Sequence, residues 1–373
     1  MLSQTPPMGW NSWNTFGKDI SDSLIRETAD AMARNGLRDA GYQYVTIDDL
    51  WSERQRDEDG RLRPDARKFP HGMEELSRYL HSKSFKFGMY SCAGTRTCAD
   101  FPGSYEYEFL DAETFAQWGV DLLKYDYCYK PNHVEGHLLY KRMAMALRSC
   151  GRDILLSACS WGKDGAETFM RNAGAHMWRS TGDISDNWQS VKGIIEHQKT
   201  LTPYGAPGCF NDMDMLVVGM RGKGNVALGG CTDEEYKTHF SAWCLFASPL
   251  IIGCDVRKVD GTSLQILTNR ELIAVDQDPE GREPWIVTDA YDILVCMRPL
   301  ANGNYALGFF NLSDDAREVY QNFWDLGLPT GSGYRLFLRD LWAHEDVGAV
   351  REGWRVRLEP HACAVYGARL VKG

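Results

Sequence analysis

Asp121-Leu122-Leu123-Lys124-Tyr125-Asp126 is the stretch on which the fold turns. It is too apolar for the alternation of a half-buried strand and suits a strand of a parallel sheet covered on both faces. Ser248-Pro249-Leu250-Ile251-Ile252-Gly253 has the same texture. Six further runs share strand character: Met8–Trp10, Tyr44–Asp49, Lys86–Ser91, Ile154–Ser160, His176–Thr181 and Gly208–Asp212. With Leu122–Tyr127 and Ser248–Gly253 they make eight.

Helical patterns fill the gaps. Ser21-Asp22-Ser23 reads as an N-terminal capping cluster, Leu24, Thr28 and Met32 recur at i, i+4 and i+8, and Gly36 stands where a terminating glycine belongs. Met73, Leu76 and Leu80 mark a second helix. Asp111–Gly119, Val134–Leu147, Asp186–Gln198, Thr232–Phe246 and Leu264–Val275 supply others, with Asp186 the expected cap of its helix. Eight strands, each followed by a long crossover, predict an α/β fold: a (β/α)₈ TIM barrel over residues 1–281. A doubly wound sheet is the rival arrangement. Beyond Asp278-Pro279-Glu280-Gly281 the helical period disappears. Short runs at Asp292–Met297, Tyr305–Leu312, Tyr334–Trp342, Trp354–Leu358 and Ala362–Ala368, with a hairpin turn at Asn302-Gly303-Asn304, predict a C-terminal antiparallel β-sandwich domain over 282–373.

Composition narrows the function. The chain has 373 residues, 43% hydrophobic and 25% charged, enough for a sizeable core. Its net charge of −10 disfavours nucleic acid, which needs clustered cations, and favours a neutral ligand. No run approaches the ~20 apolar residues of a membrane span, so no membrane partner is expected. The start lacks the basic and apolar regions of a secretory signal, and eleven scattered Cys suggest reduced thiols, so a cytoplasmic location is expected.

In a barrel of this kind, chemistry sits at the C-terminal ends of the strands. Those ends hold Trp10 and Trp13, then Asp48, Asp49 and Trp51, then Tyr90. They continue with Lys124, Asp126 and Cys128, then Cys159, Ser160 and Trp161, then Arg179 and Asp183, and finally Asp212 and Asp214. Carboxylates and aromatics on one rim suit a sugar, whose C–H faces stack on rings while its hydroxyls meet acids. Each has a plainer alternative: Asp48-Asp49 as an exposed loop, Trp10 and Trp13 as core, Lys124 and Asp126 as a structural ion pair, Cys98 and Cys128 as buried thiols. Such explanations must hold separately at six strand ends. No His-x-His, His-Glu-x-x-His or Cys-x-x-Cys indicates a metal, and no Gly-x-Gly-x-x-Gly a dinucleotide, so neither metal nor cofactor is expected. Gly-x-Ser-x-Gly is also missing, which leaves paired carboxylates.

The motifs Pro-Met-Gly-Trp-Asn-Ser-Trp at 7–13, Ile-Asp-Asp at 47–49, Thr-Cys-Ala-Asp-Phe-Pro-Gly-Ser at 97–104 and Trp-Gly-Val-Asp-Leu-Leu-Lys-Tyr-Asp at 118–126 carry a family resemblance. So do Trp178-Arg179 with Gly182-Asp183-Ile184, Asn211-Asp212 with Asp214-Met215, and Asp276-Gln277-Asp278-Pro279. In order and along the whole chain, they resemble glycoside hydrolase family 27, the α-galactosidase and α-N-acetylgalactosaminidase family. The resemblance implies a retaining hydrolase of terminal α-galactosides, with Asp126 as nucleophile and Asp183 as acid/base, their carboxyls ~5–5.5 Å apart. Lys124 is expected to favour the ionised form of Asp126, and Asp183 to sit in a less charge-compensated setting. Asp48 and Asp49 would hold O4 and O6 of galactose, Lys124 O3 or O4, and Arg179 and Asp183 the O2 region. Trp13 would form an apolar wall, with Tyr90, Cys98, Cys128, Trp161, Asp214 and Met215 completing the pocket.

Cys98 and Cys128 match a pair that is disulfide-bonded in secreted relatives. A second family cysteine pair is missing, since Phe16-Gly17 and Leu50 occupy its place. Relatives are often dimers, so a homo-oligomer is expected, although no interface is legible. Many galactosidases carry Glu or Asn where this chain has Ser160, and Ser resembles the α-N-acetylgalactosaminidases. Gly162-Lys163-Asp164, however, follows the plant and microbial galactosidase pattern. Galactose is therefore the favoured sugar, and N-acetylgalactosamine the alternative. A β-L-arabinopyranosidase and a non-catalytic sugar-binding protein stand behind these.

Overall fold

The computed structural model describes residues 2–373. Eight parallel strands follow the predicted order: β1 (Met8–Asn11), β2 (Tyr44–Thr46), β3 (Lys86–Cys92), β4 (Leu122–Asp126), β5 (Leu155–Ala158), β6 (Met177–Arg179), β7 (Phe210–Asp212) and β8 (Leu250–Ile252). They form one sheet, β7-β6-β5-β4-β3-β2-β1-β8. Leu216 joins its two edges: its amide donates to Ile251 O at 2.7 Å and its carbonyl accepts from Gly253 N at 2.9 Å. This is a TIM barrel. Tyr44, Leu122, Leu155 and Met177 pack together as one small buried cluster of strand residues.

The helices start where side chains relieve their free amides. Ser21 Oγ accepts from Leu24 N, and Gly36 adopts a left-handed φ of 78° beyond the helix Asp22–Arg34. Thr232 and Glu235 form a reciprocal capping box on the helix Asp233–Leu245. One expected cap is corrected. Asn187, not Asp186, caps Trp188–Gln198 by accepting from Ser190 N. Asp186 is fully buried and takes its donors from a distant loop. The single helix expected over Leu264–Val275 is two, Gly261–Leu267 and Arg270–Asp276, because Asn269 leaves the helix to cap the second. The helix Ala166–Ala173 buries Ala166, Met170 and Ala173 at i, i+4 and i+7 spacing and is not among the predicted elements.

The C-terminal domain holds β9 (Trp285–Ala290), β10 (Ile293–Pro299), β11 (Tyr305–Asn311), β12 (Arg317–Asn322), β13 (Tyr334–Asp340), β14 (Glu345–Val350), β15 (Gly353–Leu358) and β16 (Cys363–Lys372). Six form an antiparallel sheet, β14-β13-β16-β11-β10-β9, and β12 pairs with β15. Val295, Leu307 and Phe309 from the large sheet share a core with Val319 and Val356 from the small one. The three strands that composition did not announce are β9, β12 and β14. β9 and β14 form the two sheet edges, and all three carry charged residues suited to exposed strands. The buried Arg298 ties the domains together, donating to Cys244 O at 2.6 Å and Asp276 O at 3.2 Å.

Candidate active site

Side chains alternate along a strand, so every second residue faces the barrel axis. Lys124 and Asp126 on β4, Cys159 after β5 and Arg179 on β6 thereby reach one cavity at the mouth of the barrel. Trp13, Asp48, Asp49, Tyr90, Cys98, Trp161, Asp183, Asp214 and Met215 line it too. Trp10 is fully buried in the core, donating through Nε1 to Cys254 O. Asp48 and Asp49 are each 2% exposed, which removes the surface-loop alternative.

The structure brings together all but two of the expected site residues. Ser160 is fully buried and does not line the cavity. Its neighbours Cys159 and Trp161 do. Cys128 lies behind the wall, bonded to Cys98 with Cα atoms 5.1 Å apart. Three lining residues were not anticipated: Asn14, Ile184 and Val226. Asn14 flanks a recognised motif, Ile184 is the last residue of another, and Val226 lies in a glycine-rich loop with no strand-end signal. Among the described residues, the one cluster with metal-like spacing is Cys98, Asp126 and Cys128. Its sulfurs are bonded to each other and are not thiolate ligands.

Asp126 is 6% exposed. Tyr90 Oη donates to its Oδ2 at 3.0 Å, Tyr127 N donates to its Oδ1 at 2.9 Å, and Cys98 Sγ stands 3.4 Å from Oδ2. Burial pushes its carboxyl up to about 6, the Lys124 charge only partly opposing this and Asp48 adding to it. The expected effect of Lys124 is thus outweighed. Lys124 Nζ pairs with Asp48 Oδ2 at 2.7 Å, not with Asp126, so the alternative of a Lys124–Asp126 structural ion pair is also set aside.

The remaining acids are tied down. Asp48 also accepts from Asn11 Nδ2 at 2.7 Å. Asp49 accepts from Ala99 N at 2.9 Å and Leu50 N at 2.7 Å, while burial raises its carboxyl. Asp214 accepts from Ile184 N at 2.8 Å and pairs with Arg179 at 3.0 Å. Asp183 differs: its side chain is 71% exposed and touches Arg179 Nη2 at 2.9 Å. The expectation of weak charge compensation there is corrected, because four-residue spacing folds Asp183 back onto its own Arg179. That guanidinium nitrogen is shared with Asp214 and with Gly182 O at 2.8 Å.

A cavity of acids and aromatic walls at the C-terminal mouth of a (β/α)₈ barrel, with a β-sandwich behind it, defines a glycoside hydrolase. The family model described as "Alpha galactosidase A" matches residues 5–278, and that of the "Alpha galactosidase C-terminal beta sandwich domain" matches 291–368. The chain is 43% identical over 366 residues to the alpha-galactosidase of Cyamopsis tetragonoloba, covering 98% of this chain and 86% of that one. The crystal structure of alpha-galactosidase I from Mortierella vinacea superposes with a TM-score of 0.92 at 33% identity, covering 98% and 97%. The Saccharomyces cerevisiae α-galactosidase solved with raffinose gives 0.91 at 30%, covering 99% and 98%. The chain belongs to the α-galactosidase family.

Proposed function

We propose that this chain hydrolyses terminal α-linked galactosides with net retention of configuration. Asp126 attacks the anomeric carbon as the bond to the leaving oxygen breaks, and Asp183 gives that oxygen a proton. Asp183, now a carboxylate, then takes a proton from water, whose oxygen attacks the anomeric carbon and releases Asp126. Galactose and the free aglycone are the products. The observation that carries the assignment is the state of the five acids in the cavity. Asp48, Asp49 and Asp214 are engaged by fixed donors and suited to holding hydroxyls. Asp126 is rigid and buried on its strand, as a nucleophile must be. Asp183 is open to the leaving group and to water, with which it exchanges protons.

The Asp183→Ala variant tests this. Its loss of turnover should be smaller with an activated aryl α-galactoside than with raffinose, whose leaving group needs protonation. Equal loss on both would refute the acid role. The first anomer released, followed by NMR, should be α-galactose. The N-acetylgalactosamine alternative rests on the room that a small residue at Ser160 leaves, whereas relatives at about 40% identity over the full chain, such as the alpha-galactosidase of Cyamopsis tetragonoloba, support galactose.

A further inference from the structure

The helix Asp233–Leu245 turns three polar side chains, Tyr236, His239 and Trp243, toward the wall of the cavity at i, i+3 and i+7 spacing. Trp243 Nε1 donates to Asp214 O at 2.7 Å, and His239 Nε2 accepts from Val217 N at 3.0 Å. Tyr236 Oη accepts from Arg221 N at 2.8 Å and donates to the Asp186 carboxylate at 3.0 Å. Elsewhere on the helix, Thr238 Oγ1 donates to His361 O and Ser241 Oγ accepts from Trp342 Nε1, so the sandwich domain braces it.

Asp186 is fully buried, and among the described residues it has no cationic partner within ion-pair distance. Its carboxylate is satisfied by Gly222 N at 2.7 Å, Cys231 N at 3.1 Å and the Tyr236 hydroxyl. Its backbone joins the same loop: its amide donates to Val226 O at 3.1 Å, and its carbonyl accepts from Gly230 N at 2.8 Å. A buried charge is costly unless every donor is in place, so these contacts hold two segments in one arrangement. One is the bend 180–187, which carries Asp183. The other is the loop 219–231, which carries Val226 into the cavity wall. Gly222, Gly224, Gly229 and Gly230 all have positive φ in that loop, and no helix or strand holds it.

We infer that Asp186, clamped by Tyr236, is a positioning residue that sets Asp183 at the height of the leaving oxygen; this rests on the acid/base role of Asp183. The clamp acts on Asp183 and not on Asp126, which is fixed by its own strand. Loosening it therefore slows reactions that need the proton and spares those that do not.

The test compares kcat/KM on raffinose and on p-nitrophenyl α-galactoside for Tyr236→Phe, with Asp183→Ala run beside it. Phe keeps the ring under the Arg221 guanidinium and deletes only the hydroxyl. Tyr236→Phe should lose about tenfold on raffinose, a fraction of what general acid catalysis supplies, and stay within about twofold on the aryl galactoside. Equal loss on both, or no loss, overturns the clamp, because a purely structural role lowers both together. If Asp183→Ala discriminates and Tyr236→Phe does not, the clamp alone fails. If Asp183→Ala does not discriminate, the acid assignment fails and the clamp with it. Should Tyr236→Phe not fold by near-UV circular dichroism, Asp186→Asn, which keeps the side-chain shape but turns an amide donor toward one of the two backbone amides that the carboxylate accepts from, is judged by the same ratio.

Discussion

Lys124 Nζ lies 2.7 Å from Asp48 Oδ2, so the cation on the strand of Asp126 is committed to an acid two strands away. The register explains it. Thr46 is level with Gly88 and Leu122, and Tyr90 with Lys124, so Asp48, two residues past Thr46, reaches the level of Lys124. Asp126 stands two residues further along β4, about 6.6 Å by the strand rise.

Asp48→Asn therefore has a distant electrostatic effect. It keeps a hydrogen-bond acceptor for Lys124 while removing a negative charge that raises the Asp126 carboxyl. The acidic limb of kcat/KM should move to lower pH, alongside weaker sugar binding. Asp48→Ala strands a buried ammonium and should lower stability by about 3–5 kcal/mol in urea denaturation. An unmoved limb in Asp48→Asn would contradict the coupling.

The free-enzyme kcat/KM should fall as pH drops through about 6, where Asp126 gains a proton. The stability consequence has the opposite sense. A carboxyl raised from 3.8 to about 6 holds its proton longer in the folded state, so folding is favoured below 3.8 and loses that advantage by pH 6. Asp126→Asn should thus be inactive yet more stable at pH 7, by up to about 3 kcal/mol. Asp212, also pushed up to about 6 by burial, should respond alike in stability. Chemical denaturation at pH 4 and pH 7 checks both, and a destabilised Asp126→Asn at pH 7 would contradict the burial argument.

Ser160→Ala should leave kcat/KM on an aryl α-galactoside within about twofold, since the side chain does not reach the cavity. Ser160→Glu would place a carboxylate where no surface is exposed. It should lower Tm by several degrees without shifting preference between galactose and N-acetylgalactosamine. A clean change of sugar preference in a stable Ser160→Glu protein would put the residue back in the site.

Asp126→Ala should abolish turnover of aryl α-galactosides, by more than about 10⁴-fold, because no other group can form the covalent intermediate. Near-normal kcat would end its assignment as nucleophile.

Burial on both faces left almost unbroken apolar runs at β4 and β8, and the other six strands were legible from their regular alternation with helical patterns. The strand ends named Trp13, Asp48, Asp49, Tyr90, Lys124, Asp126, Arg179, Asp183 and Asp214, all of which meet in one cavity. Val226 and Asp186 were not legible as parts of the site. Val226 enters from a glycine-rich loop whose path is set by residues far away in sequence, and Asp186 carries the same local signature as a helix cap. Ser160 misled for a simpler reason: it stands between two wall residues, Cys159 and Trp161, and is itself fully buried.

The sequence by itself determined the barrel, its β-sandwich partner and the inventory of acids at the rim, because strand burial and side-chain alternation are local properties. Only the tertiary structure decided which acid meets which cation: Lys124 with Asp48, Arg179 with both Asp183 and Asp214, Asp186 with none. Such pairings depend on the register between strands and on loops that arrive from elsewhere in the chain. Coulomb energy follows the distance between charged groups in space, and the long Lys124 side chain, turned into the barrel, carries its ammonium to an acid two strands away.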